Sequence, residues 1–319
     1  MLKKRRVGMA RCLGKLPCSL AAAWSGENID CVKEFDSLDA TSEWTNFSGR
    51  ESAAVACEPW RAYCDAVHRR LISRWVGTSR FSSVLKTDLF DESAGAGCCD
   101  ALASISDGVH GIDISPEIVE SAAKANPEMR TCVGDIRGLP FPDGLFGLVF
   151  SNSTIDHFAT LEEINQSIVE MARVLAKGGV LMLTMDNPWN PVVAIRNRLP
   201  QNLTRRAGLI PYFMGRTLSM PEMIQAVESS GLRIAQRRHI QHAPRVAALH
   251  LCRLLGKRGF SSRMAVSVML SMESLAGWPS ASLTGHYSAV LAVKVIGGAN
   301  GFEKSSCPPK VSASGNDDG

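Results

Sequence analysis

Three absences narrow this chain of 319 residues before any motif is read. No apolar run approaches the roughly 20 residues that a membrane-spanning helix needs. No Cys-x-x-Cys pair or Cys/His zinc spacing occurs among the ten cysteines, Cys12, Cys18, Cys31, Cys57, Cys64, Cys98, Cys99, Cys132, Cys252 and Cys307. No metal is therefore expected, and scattered cysteines in a chain of this size read as reduced thiols rather than a disulfide framework. Charge of one sign is also missing locally. Residues 1–15 carry Lys3, Lys4, Arg5, Arg6, Arg11 and Lys15 without an acid, and 196–263 carry thirteen Lys/Arg against Glu222 and Glu228.

Such basic stretches fit an anionic substrate, a membrane surface or nucleic acid, and equally a solvated face. Outside the first fifteen residues, 29 basic residues face 31 acidic ones, and no RNA-binding module is attached. Nucleic acid is thus not the expected partner. The basic start fits weak contact with an anionic membrane surface. Ala21-Ala22-Ala23 hints at a signal peptide, but Arg11, Gly14, Lys15 and Pro17 break the apolar region that a signal needs. The expected location is cytoplasmic. The residues do not indicate an oligomeric state.

What is present is organised around Val109–Pro116, Val-His-Gly-Ile-Asp-Ile-Ser-Pro. Apolar residues alternate into a carboxylate, Asp113, and Ser115-Pro116 then opens a helix. In doubly wound α/β proteins ligands bind at the carboxyl ends of parallel strands, where an acid accepts from ribose hydroxyls. Taken alone, the stretch is equally an ordinary strand followed by a helix cap.

Its surroundings favour the site. Residues 1–56 show no sustained period and read as a disordered leader. From Trp60 to Trp75 apolar residues recur at helical spacing, predicting a helix over 58–76; its aromatic stripe is core material, with Tyr63 the member nearest to chemistry. A first strand is predicted over Ser83–Phe90, running into Asp91-Glu92-Ser93-Ala94-Gly95-Ala96-Gly97, where glycines permit a tight turn and close approach of a ligand. A short helix over 98–106 follows. Further strands are predicted over Met129–Val133, Leu145–Ser151 and Gly179–Met185, with a helix over 160–175. The last of these strands is continuously apolar, as a strand buried on both faces should be.

Strand–helix alternation at this spacing means parallel βαβ units. Asp113, Asp135, Ser151-Asn152 and Asp186 then share one edge of the sheet. Two stretches, 187–217 and 243–285, interrupt the second half. Within them Ser219-Met220-Pro221-Glu222 is a capping box, and helices are predicted over 244–256 and 262–275, the latter with Met264, Met269 and Met272. Remaining strands are predicted over Arg233–Gln241 and His286–Val295. The domain is expected over 57–296, with a disordered tail at 297–319.

With these residues in place, the chain resembles the class I S-adenosylmethionine-dependent methyltransferases, in the group of small-molecule, ubiquinone/menaquinone-type enzymes. The resemblance rests on Asp91–Gly97, on Val109–Pro116, on Gly134-Asp135-Ile136-Arg137-Gly138-Leu139-Pro140-Phe141-Pro142-Asp143 with Phe146–Val149 behind it, and on Val174–Gly179. It implies a Rossmann-like, doubly wound, seven-stranded and mostly parallel sheet, with an antiparallel last strand and helical lid insertions. It also implies S-adenosylmethionine as cofactor and methyl transfer as the activity. Gly95 and Gly97 would line the methionine portion, Asp113 the ribose, Asp135 the adenine amino group, and Ile114 and Ile136 the ring faces. Ser151 and Asn152 would lie under the sulfonium. The acid toward the methionine amine is either Asp88 or Asp91, because the strand ahead of the glycines is unusually polar and Ser93 stands where the family has its first glycine. Gly147 likewise replaces an aspartate.

The insertions, apolar and arginine-rimmed, suggest a lid over a small apolar or amphipathic acceptor. Their alternative role is to pack on each other. Methyl transfer to oxygen or nitrogen calls for a base, and Asp156-His157, just beyond a strand end, is the candidate pair; a helix cap and a packed histidine is the other reading. His239 and His242 are further candidates. Two other functional readings stand beside this one: a methyltransferase-fold scaffold that does not catalyse, and a nucleic-acid methyltransferase.

Overall fold

The computed structural model describes residues 29–30, 58–95, 97–199, 215–245, 247–248 and 262–295. Its strands are β1 (Ile29–Asp30), β2 (Val84–Lys86), β3 (Val109–Asp113), β4 (Arg130–Val133), β5 (Phe146–Asn152), β6 (Leu175–Asp186), β7 (Leu232–Ile240) and β8 (Tyr287–Lys294). They form one sheet in the order β1-β4-β3-β2-β5-β6-β8-β7. Pairing from β1 through β6 is parallel, while β8 runs antiparallel to both β6 and β7. The seven strands expected are all present. The eighth, β1, lies in the stretch read as leader and pairs with Cys132 and Val133.

The helices are α1 (Glu58–Val76), α2 (Phe90–Ser93), α3 (Cys99–Ser104), α4 (Pro116–Ala125), α5 (Leu161–Val174), α6 (Pro191–Arg198), α7 (Met220–Ser229), α8 (Ser262–Ser271) and α9 (Ala281–Thr284). Their starts follow local chemistry. Ser115 caps α4, its hydroxyl accepting from the Ile118 N–H, and Pro116 takes the first helical position, where a missing N–H costs nothing. Thr160 and Glu163 close a capping box on α5, and Ser219 and Glu222 close the predicted one on α7. The central strands are buried on both faces. Leu148, Phe150 and Met182 face the cluster built with α1 and α4, and Val149, Leu181 and Leu183 face the cluster built with α5 and α7.

Two boundaries differ from expectation. β2 stops at Lys86, not at Phe90: the Thr87 N–H still reaches the Phe150 carbonyl (3.2 Å), but the Leu89 and Phe90 amides leave the ladder for side chains. The Leu89 N–H donates to Asp113 Oδ2 (3.0 Å) and the Phe90 N–H to Asp88 Oδ1 (3.0 Å), which starts the single turn of α2. β6 begins at Leu175 rather than Gly179, since Leu175 already pairs with Phe146, and Gly178 at φ +76° bends the strand without ending it. Glycines elsewhere fix close contacts. A Cβ on Gly111 in β3 would strike Leu89 and the Met129 sulfur, and one on Gly147 would press on the Phe81 ring. The aspartate missing at 147 thus makes room for an aromatic ring.

The insertions are described in part. α8 packs on α1, with Ala265 and Met269 buried and Met264 exposed. Of the helix expected over 244–256, 244, 245 and 247–248 are described, and 245 and 247–248 are helical; 200–214 and 249–261 lie outside the described residues, as do 1–28, 31–57, 96, 246 and 296–319.

Candidate functional site

The carboxyl ends of β2, β3, β4 and β5 open into a cleft with a cavity volume of about 90 Å³. Its walls are Thr87, Asp88 and Phe90 after β2, Asp113, Ile114 and Ile118 at β3, Gly134, Asp135, Ile136 and Arg137 after β4, and Thr154, His157 and Phe158 after β5.

The sequence-predicted residues divide into two groups. Asp88, Asp113, Ile114, Asp135, Ile136 and His157 line the cleft. Asp91, Gly95, Gly97, Ser151, Asn152 and Asp156 are not among its lining residues. Of the two acids left open after β2, Asp88 therefore lies at the cleft and Asp91 lies on the first turn of α2.

Asp113 is clamped before any ligand arrives. Oδ1 accepts from the Ser115 N–H (2.9 Å) and Oδ2 from the Leu89 N–H (3.0 Å). Each oxygen has two acceptor directions, so both retain capacity for a further donor. Burial raises the Asp113 pKa against these two amides. Asp88 is pushed up to about 7 by burial, with Lys86 opposing and Asp113 and Asp91 adding to the rise. Asp135 is forked by Arg137, whose Nη2 lies 2.6 Å from Oδ2, and Arg137 reaches on to Glu163 at 2.6 Å and over the Phe158 ring. The carboxylate expected to face an adenine amino group is thus also the anchor of an arginine that walls the cleft. Sequence reasoning missed Arg137; its place two residues after Asp135, in a turn that Asp135 caps, was the available signal.

Behind Thr87 and Asp88 the end of β2 is filled by protein. Lys86 and Glu92 are both fully buried and pair at 3.1 Å. Lys86 Nζ also donates to Asn152 Oδ1 (2.8 Å) and to the Asp88 carbonyl. Burial acts to strip its proton, but Glu92, Asp88 and Asp91 outweigh that and raise its pKa. Glu92 is pushed up to about 7 by burial, against the attraction of Lys86. Its Oε1 accepts from the Cys98 N–H (2.9 Å), and a Cβ on Gly97 would collide with the same carboxylate. The pair was not foreseen, although a lysine inside a strand with an acid six residues on was its visible sign.

Asp156, expected beside His157, is fully buried and turned to β6. Its Oδ2 accepts from Ser153 Oγ (3.0 Å) and the Asp186 N–H (3.2 Å). Burial raises its pKa; His157 opposes the rise and Asp186 adds to it. Asp186 is pulled the other way, because Arg196 at 2.6 Å and His286 at 3.4 Å overcome its burial. Tyr63 donates to Glu273 Oε1 (2.5 Å) and takes the Ala243 N–H, tying α1 to the segment beyond α8. His239 and His242 do not line the cleft; His242 lies 2.8 Å from Thr284 Oγ1, and His239 lies 3.4 Å from Ser288 Oγ. The described parts of the insertions contribute no lining residue. Among the described residues no three His, Cys, Asp or Glu gather to hold a metal, and no helix is long and apolar enough to cross a membrane.

A mostly parallel sheet with this strand order, an antiparallel β8 and a cleft over the ends of β2–β5 is a Rossmann-like, doubly wound α/β fold. Residues 93–183 match the family described as "Methyltransferase domain". The match begins at Ser93, past β2 and Glu92.

Among curated relatives, a "Probable tRNA methyltransferase 9B" of Mus musculus is 42% identical over 73 residues, 23% of this chain and 16% of that protein. The "Malonyl-[acyl-carrier protein] O-methyltransferase" of Halorhodospira halophila is 32% identical over 83 residues, 25% and 27% of the two chains. The aligned stretch thus covers about a sixth to a quarter of each relative. Among solved structures, the N-methyltransferase NodS of Bradyrhizobium japonicum, in complex with S-adenosyl-L-homocysteine, superposes with a TM-score of 0.46 at 15% identity, over 76% of this chain and 95% of that one.

Proposed function

We propose that this chain is an S-adenosylmethionine-dependent methyltransferase acting on a small, apolar or amphipathic acceptor. The observation that supports it most is Asp113, a clamped carboxylate with spare acceptor capacity at the end of β3, flanked in one cleft by Ile114 and Ile136. This set suits a nucleoside: a diol at the acid and a flat ring against the two isoleucines. When bound, the cofactor supplies an electrophilic methyl group on sulfur.

The chain's own residues then have three tasks. Asp113 and the isoleucines orient the nucleoside. Phe90, Ile118 and Phe158 keep the cleft apolar and limit water. His157, on its wall, takes a proton from an oxygen or nitrogen acceptor, with Asp156 buried behind it as a fixed polar neighbour.

The acceptor class draws on two relatives whose names give non-nucleic-acid substrates, the malonyl-[acyl-carrier protein] enzyme and an ajmaline N-methyltransferase of Rauvolfia serpentina, 37% identical over 79 residues. A nucleic-acid acceptor is the second reading. It is favoured by the tRNA methyltransferase relative and by the thirteen basic residues of 196–263.

Incubation with tritiated S-adenosylmethionine, a panel of apolar acids and amines, and bulk tRNA separates the two. Label extracted into organic solvent supports the first reading, and label precipitated with RNA supports the second. No transfer to either, from a protein that binds the nucleoside, leaves the binding scaffold.

A further inference from the structure

We propose that Glu92 is a built-in occupant of the amino-acid end of this cleft, so that the chain as folded recognises the nucleoside of its cofactor and not the amino-acid tail. The inference rests on the cofactor reading above and concerns which part of that molecule is read.

Gly95 and Gly97 both have positive φ, +73° and +92°, a backbone form that glycine adopts freely and that lets a group come close. The group that comes close to Gly97 belongs to the chain itself. The Glu92 carboxylate fills the space a Cβ would take there, accepts from the Cys98 N–H and pairs with Lys86. An amino-acid tail would bring a carboxylate to a buried cation and backbone amides. Here a side-chain carboxylate already has both.

The cleft accordingly ends at Thr87, Asp88 and Phe90, and Gly95, Gly97, Ser151 and Asn152 do not line it. Lys86 is also spoken for on its other sides, by Asn152 Oδ1 and the Asp88 carbonyl. A ligand carboxylate can reach Lys86 only if Glu92 leaves, and Glu92 is carried on the single turn of α2. Glu92 is thus a specificity-determining residue.

Calorimetric titration of the full chain with adenosine, S-adenosylhomocysteine and S-adenosylmethionine tests this by binding alone. For the native sequence, adenosine and S-adenosylhomocysteine are expected to bind within about threefold of each other, because the tail gains no partner. In Glu92→Ala, S-adenosylhomocysteine is expected to bind at least about tenfold more tightly than adenosine, its carboxylate replacing that of Glu92 beside Lys86. A tenfold preference for S-adenosylhomocysteine in the native chain overturns the inference alone, and needs no variant to fold. A folded Glu92→Ala without that preference also overturns it. A folded native chain that binds none of the three overturns the cofactor reading, and this inference with it.

Discussion

β2 and β3 are neighbours in the sheet, and each ends in a charged residue that is almost fully buried. Their ends behave differently. At β3, Asp113 is held by two backbone amides and still faces the cleft. At β2, Lys86 is surrounded by Glu92, Asn152 and the Asp88 carbonyl, and the cleft stops short of it. A charge fixed by amides keeps its function open, because amides orient it without neutralising it. A charge fixed by a counter-charge becomes part of the core.

Four measurements break or sharpen that contrast. The largest effect belongs to the β2 end. Lys86→Ala leaves Glu92 buried without its partner and is expected to cost about 3–5 kcal/mol, read by urea unfolding. The double change Lys86→Met with Glu92→Leu removes both charges and should restore most of that loss; equal damage in both variants would show that the pair is not the cause.

Next is the β3 end. Asp113→Ala is expected to weaken S-adenosylhomocysteine about 30-fold in calorimetry, as loss of a charged hydrogen-bonding group of about 2 kcal/mol would. Unchanged affinity would move the nucleoside away from Asp113.

A pH-dependent effect, reached only as pH falls, lies behind β2. His68 is buried against Phe150, with Nε2 lacking a partner, and burial followed by Lys86 lowers its pKa to about 4. The unfolded chain, with an imidazole near its ordinary 6.5, binds the proton more readily. Stability contributed by neutral His68 is therefore full above about pH 6.5 and is lost as pH falls toward about 4, at up to about 1.4 kcal/mol per pH unit. His68→Phe should flatten that acid limb in thermal melts at stepped pH. The smallest effect is Ser115→Ala beside Asp113, expected to cost about 1 kcal/mol through the lost α4 cap and to leave nucleoside affinity nearly unchanged.

The same contrast explains what could be read from the sequence. The β3 end was legible because its signal is local: alternating apolar residues, an acid, then Ser-Pro. The positions of the strands along the chain and the capping box at Ser219 follow equally from short-range chemistry. The β2 end was not legible, because its structure depends on partners that only the fold brings together. Asp113 takes the Leu89 amide from 24 residues away, and Asn152 meets Lys86 from 66 residues away. Lys86-Thr87-Asp88 read as part of an unusually polar strand, where it is the end of one. Asp156 shows the same limit, since adjacency to His157 in sequence did not foretell that its carboxylate would bond Ser153 and the Asp186 amide.

Gly111 carries a consequence for how this chain can change over time. Leu89 and Met129 both press on the place where its side chain would be, and Leu89 is also the residue whose amide clamps Asp113, two positions further along β3. Even an alanine at 111 would have to displace the Leu89 methyls and the Met129 sulfur, repacking the residue whose amide holds the acid. A position with no chemistry of its own thereby restricts the mutations open to the ligand-facing end of the strand, and saturation mutagenesis there should tolerate fewer replacements than at the exposed residues of α4.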